Sequence, residues 1–90
     1  MFLPSLNHNL EHAALVLGKI METFFKVVEE VFEIDRAKCD DNTVINELET
    51  WNSLKHMELI FSIEEQFDVA FSGDEIAGFR TLGDIIKVIQ

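Results

Sequence analysis

Ser53 and His56 stand three apart in the run Trp51-Asn52-Ser53-Leu54-Lys55-His56, so a helix there puts a hydroxyl and an imidazole on one face. A nucleophile and base of that kind also need a tight Gly-flanked turn and nearby oxyanion donors, which the residues around Ser53 do not offer. No catalytic residue is expected. His8-Asn9-Leu10-Glu11-His12 spells the H-x-x-E-H pattern of a zinc protease class, with both histidines on one helical face. Ninety residues are too few for a protease cleft and no third ligand is evident, so this match is read as incidental. The Asp and Asn cluster at 35–46 lacks the central Gly and the spaced oxygen ligands closed by Glu that a calcium loop needs. Cys39 is alone, which rules out an internal disulfide and a thiolate cluster. No metal is expected. What remains is Ser53 as a hydroxyl opening a helix, where a phosphate would meet unpaired backbone N–H groups and the positive end of the macrodipole. That placement favours an anion by roughly 0.3–1 kcal/mol.

The elements that must position Ser53 follow from periodicity. Ile20, Phe24, Val27, Val31 and Ile34 recur at spacings of four and three, widened by Met21, Phe25, Val28 and Phe32, which predicts an amphipathic helix from Ile20 to Ile34. Glu22, Lys26, Glu29 and Glu33 form its opposite face, with Glu22 and Lys26 in the favourable order for an ion pair. Residues 35–51 lose the period and gather Asp, Asn and Thr, which favours a long loop that Val44, Ile45 and Leu48 can pin to the core. Asn52 is a good cap for a second helix running to about Phe67. Its apolar stripe is too broad for one buried face, so part of it is exposed. Val69 and Phe71 alternate as an extended link, and Ser72-Gly73-Asp74 precedes a brief helical turn through Ile76. Thr81 and Asp84 resemble a capping box for a last helix containing Leu82, Ile85, Ile86 and Ile89. The fold class is all-α, a small helical bundle without strands. Residues 1–18 form an N-terminal extension, either an added helix or an unattached tail, because Gly18 interrupts the run into the next helix.

Composition narrows the partners. Ninety residues make one domain, and 17 acids against 7 Lys and Arg leave a net charge of −10. Nucleic acid and anionic membranes would repel it. Residues 29–75 hold fourteen acids against Arg36, Lys38 and Lys55, a net of −11, whereas the first 28 residues are neutral. The charge either keeps a surface solvated or faces a basic partner. The longest apolar run of the N-terminal segment, Ala13 to Leu17, is too short for a signal core or a span, so membrane insertion is not expected and a cytoplasmic monomer is.

The stretch WNSLKHMELIFSIEEQF at 51–67 resembles the signature segment of acyl carrier proteins and their peptidyl carrier relatives, in which Asp-Ser-Leu opens a helix. The likeness continues through DVAFSGDEIAGFRTLGDIIKVI, so it covers residues 19–90 as a carrier domain. Three positions depart from the family pattern: Asn52 stands where Asp is usual, Lys55 where the segment is often more acidic, and Glu49-Thr50 where Gly is common.

The resemblance implies a four-helix bundle of three main helices and a short one. It implies that a phosphopantetheinyl transferase moves a 4′-phosphopantetheine arm from coenzyme A onto Ser53. The chain would then hold acyl groups as thioesters for fatty acid, lipid, polyketide or related biosynthesis, without being an enzyme itself. An aminoacyl or peptidyl carrier of the same fold is the alternative, and an acidic helical adaptor without a cofactor is a third reading. Partners implied are acyl- or aminoacyl-loading and acyl-consuming enzymes with basic surfaces. The helix after Ser53 would be read by them through Asn52, Leu54, Met57 and Phe61 and the charges Glu58, Glu64 and Glu65, although core packing competes for Met57 and Phe61.

Overall fold

The computed structural model describes the backbone from Phe2 to Gln90 and the side chains from Ala13 onward. The H-x-x-E-H residues His8, Glu11 and His12 lie outside the described side chains. Four helices follow one another, α1 (Phe2–Phe32), α2 (Ser53–Phe67), α3 (Gly73–Gly78) and α4 (Leu82–Ile89). Among the described residues there is no strand, only an isolated antiparallel bridge between Val44 and Thr81.

α1 runs through Gly18 without a break, which corrects the expectation of an interruption there. A glycine in a helix costs about 1 kcal/mol relative to Ala, and the neighbours Ala13, Ala14, Leu15, Leu17 and Lys19 are good helix formers that absorb it. The helix stops at Phe32, two residues before the expected end, because Glu33 turns left-handed at φ 55°. Its buried face is also rotated from the expected line. Phe24, Phe25, Val28 and Phe32 are essentially inaccessible, while Val31 and Ile34 are half-buried.

α2 packs along α1, contributing Leu59, Ile60 and Ile63, and α4 closes the core with Leu82, Ile85 and Ile86. Fully burying an aliphatic side chain is worth roughly 1.5–3 kcal/mol, so these three contributions hold the bundle. Two polar boxes fix the later helices. Ser72 and Glu75 cap α3 reciprocally, and Thr81 and Asp84 do the same for α4.

The long connection from α1 to α2 is more ordered than its composition suggests. It contains two 3-10 turns, Arg36–Lys38 and Ile45–Glu47, and it buries Cys39 and Ile45. Its middle is laced to the start of α4: Ile45 N donates to Arg80 O at 2.8 Å, Leu82 N to Thr43 O at 3.1 Å and Gly83 N to Asp41 O at 2.8 Å. Of the Asp and Asn cluster at 35–46, the Asp40 side chain is used locally, its Oδ1 accepting from Asn42 N at 2.8 Å. Among the described residues no group of three or more His, Cys, Asp or Glu gathers as a metal site.

Candidate functional site

Ser53 is the first residue of α2 and is exposed. The helix starts there because Asn52 is extended, at φ −154°, and its Oδ1 accepts from Lys55 N at 2.8 Å. That cap satisfies one of the donors that every helix start leaves open. The amides of Ser53 and Leu54 have no acceptor within the helix, so the hydroxyl sits beside two outward N–H groups.

The helix start is also held from behind. Lys55 Nζ donates to Val31 O at 3.0 Å and pairs with Glu33 Oε2 at 3.2 Å, while Thr50 Oγ1 donates to Phe32 O at 2.6 Å. Thr50 and Lys55 thus satisfy carbonyls that the end of α1 leaves orphaned. All three departures noted in the sequence therefore have a structural use, Asn52 as the cap of α2 and Thr50 and Lys55 as ties to the end of α1. Glu22 and Lys26 do not close as an ion pair, since Lys55–Glu33 is the one pair within 4 Å among the described residues.

Trp51 and His56 bracket Ser53. Trp51 Nε1 donates to His56 Nδ1 at 3.2 Å, with the rings edge to face at 6.1 Å and 76°. With Nδ1 accepting, the imidazole proton sits on Nε2, so His56 presents a donor and not a base. This bond was not foreseen from the sequence, although an aromatic five residues before a histidine and flanking a helix start is a usable signal.

The residues expected to meet partners divide. Leu54 and Phe61 are 68% and 60% exposed, large values for such side chains, and Glu58 and Glu65 are exposed beside them. Met57 is half-buried. Glu64 is drawn inward, its Oε2 accepting from Phe71 N at 2.9 Å, so that its carboxylate fixes the chain after α2. Leu59 is fully buried.

A family model described as phosphopantetheine attachment site matches residues 22–89. Acyl carrier proteins are among the similar sequences. That of Phenylobacterium zucineum is 31% identical over 75 residues, 82% of this chain and 94% of that protein. That of Rhodococcus erythropolis is 28% identical over 83 residues, 92% of this chain and 84% of the other. A meromycolate extension acyl carrier protein of Mycobacterium leprae is 26% identical over 78 residues, covering 86% and 67% of the two chains.

Proposed function

The chain belongs to the phosphopantetheine attachment family of acyl carrier proteins, and from that membership we propose that Ser53 is the residue that bears the arm. A carrier of this family holds acyl groups on covalently attached 4′-phosphopantetheine and passes them between biosynthetic enzymes. When attached, the arm supplies a terminal thiol for the thioester. The chain's own part is to present the attachment point and a surface for partners.

One observation carries the assignment of Ser53: its hydroxyl is exposed at the first position of α2, beside two amides without helical acceptors, inside the matched stretch. A phosphate there is favoured by the helix N-terminus. Asn52 holds the start of the helix, and Lys55 is engaged with α1. His56 has no role as a base toward Ser53, because its Nδ1 is taken by Trp51 and its Nε2 carries the proton.

The recognition surface consists of Leu54, Phe61, Glu58 and Glu65, with Asn52 and Met57 at its edge and Glu64 serving the fold. Basic enzyme surfaces suit it, including that of a phosphopantetheinyl transferase. A net charge of −10 favours a monomer, and the unpaired Cys39 suits the reducing cytoplasm. No described helix is long and apolar enough to cross a membrane.

Intact mass after co-expression with a phosphopantetheinyl transferase tests the assignment. One phosphopantetheinyl addition is expected, lost in Ser53→Ala with the helical content retained. Addition that persists in this variant, or that maps to Ser62 or Ser72, overturns it.

A further inference from the structure

The Asn52 side chain has two polar ends, and only one of them is spent on the fold. Lys55 N can only donate, so the Asn52 atom 2.8 Å from it is Oδ1, and the NH2 group lies on the other side of the amide. Asn52 is exposed, and its Nδ2 donates to no group among the described residues. The cap bond holds this side chain across the start of α2. Two N–H donors are thus fixed on the residue before Ser53, whose Cα is about 3.8 Å further along the chain.

An arm on Ser53 is joined through a phosphodiester, which spreads a negative charge over its non-bridging oxygens. The first turn of α2 supplies no free cation to meet that charge. Lys55, the only Lys or Arg of α2, donates to Val31 O at 3.0 Å and pairs with Glu33 Oε2 at 3.2 Å. His56 is neutral, since its Nδ1 accepts from Trp51. No acidic residue stands in that turn, so nothing in it repels the phosphate. The donors that remain are the open amides of Ser53 and Leu54 and the NH2 group of Asn52. Any helix start offers such amides to an anion, whereas the NH2 group depends on the residue at the cap. Asn52→Asp would keep the cap to Lys55 N, remove both donors and set a carboxylate beside the phosphate.

We propose that Asn52 is a positioning residue for the arm, its Nδ2 donating to the phosphate on Ser53 while its Oδ1 caps α2. The inference rests on Ser53 bearing the arm. One side chain then joins the helix start to the root of the arm, and the part of the arm beyond the phosphate swings from a fixed point.

The test compares the full chain before and after loading from coenzyme A by a phosphopantetheinyl transferase. Intact mass first establishes the addition. If none occurs at Ser53, the attachment reading fails and this one with it. Exchange of the Asn52 NH2 protons with water is then followed by NMR, with the exposed Asn42 as an internal control. Loading is expected to slow the Asn52 protons several-fold, to move one of them downfield and to leave Asn42 unchanged. Relaxation of the phosphorus signal reports the motion of the phosphate itself. Gly caps a helix almost as well as Asn but has no amide, so the phosphate should be several-fold more mobile in loaded Asn52→Gly than in the loaded wild type. Loaded Asn52→Asp should resemble the Gly variant, although its cap is intact. Where a variant is not loaded, the wild-type exchange rates decide. Asn52 protons that exchange equally before and after loading, or a phosphate equally mobile in the wild type and the variants, overturn the proposal and leave the attachment reading intact.

Discussion

The ammonium of Lys55 donates to the carbonyl oxygen of Val31, joining the first turn of α2 to the last turn of α1 across 24 residues of chain. Thr50 repeats the tie one carbonyl later, at Phe32. Lys55→Met keeps the aliphatic stem and removes the donors, and Thr50→Val keeps the shape and removes the hydroxyl. Each is expected to lower stability by about 1 kcal/mol in urea unfolding, since a net hydrogen bond is worth roughly 0.5–1.5 kcal/mol. Because both secure the same helix end, the double variant should lose a different amount from the sum. A Lys55→Met protein as stable as the wild type would show that the tie contributes nothing.

That tie marks the boundary of what the sequence reveals. Asn52 capping α2, Phe67 ending it and the Thr81–Asp84 box were all readable, because each depends on residues within one or two turns of one another. Lys55 and Thr50 looked like departures from a pattern, since their partners lie 24 and 18 residues away. The early stop of α1 has the same origin: Ile34 continues the apolar period, but the carbonyls of Val31 and Phe32 are taken by another element and Glu33 turns left-handed. Trp51 and His56 were visible as residue types, but their bond needed the geometry of the helix start.

Gly83 and Gly78 should answer the same substitution in opposite ways. A Cβ on Gly83 would lie 2.9 Å from the backbone oxygen of Asp41, whose position is fixed by its bond from Gly83 N. Gly83→Ala must displace backbone and is expected to cost roughly 1–3 kcal/mol, in the range of overpacked sites. Gly78 has open space around it and an ordinary backbone, so Gly78→Ala should stabilise by about 0.4–1 kcal/mol. Thermal melts of the two variants should bracket the wild type; a stable Gly83→Ala would mean that the 41–45 segment yields freely.

Cys39 is expected to be the slow thiol of this protein. Burial pushes its thiol above the ordinary value, an effect that the nearby Arg36 only partly offsets. The thiolate is the reacting form, so a disulfide reagent at neutral pH should modify the unloaded chain slowly. Attachment of the arm should add one fast equivalent while the slow one remains. Rapid labelling of Cys39 before loading would contradict the burial seen here.

Asp84 gives stability a defined acid dependence. Its carboxylate accepts from Arg80 N and Thr81 N, and these bonds hold it below the usual carboxylate range. A group depressed on folding contributes fully above its unfolded value, about 3.9, and loses that contribution as pH falls through the lower folded value. Asp84→Asn should therefore be less stable than wild type at neutral pH, with the gap closing below about pH 4. A gap of constant size down to acid would assign the effect to shape and not to charge.

Trp51 is the only tryptophan in the chain, half-buried, with its indole N–H held by His56 and Ser53, the proposed attachment residue, two positions on. The protein thus contains a single indole fluorophore, two positions from the residue proposed to bear the cargo. Its emission is free of background from other indoles, and a change in loading state can be followed in real time without a dye, a label or a partner enzyme's own signal.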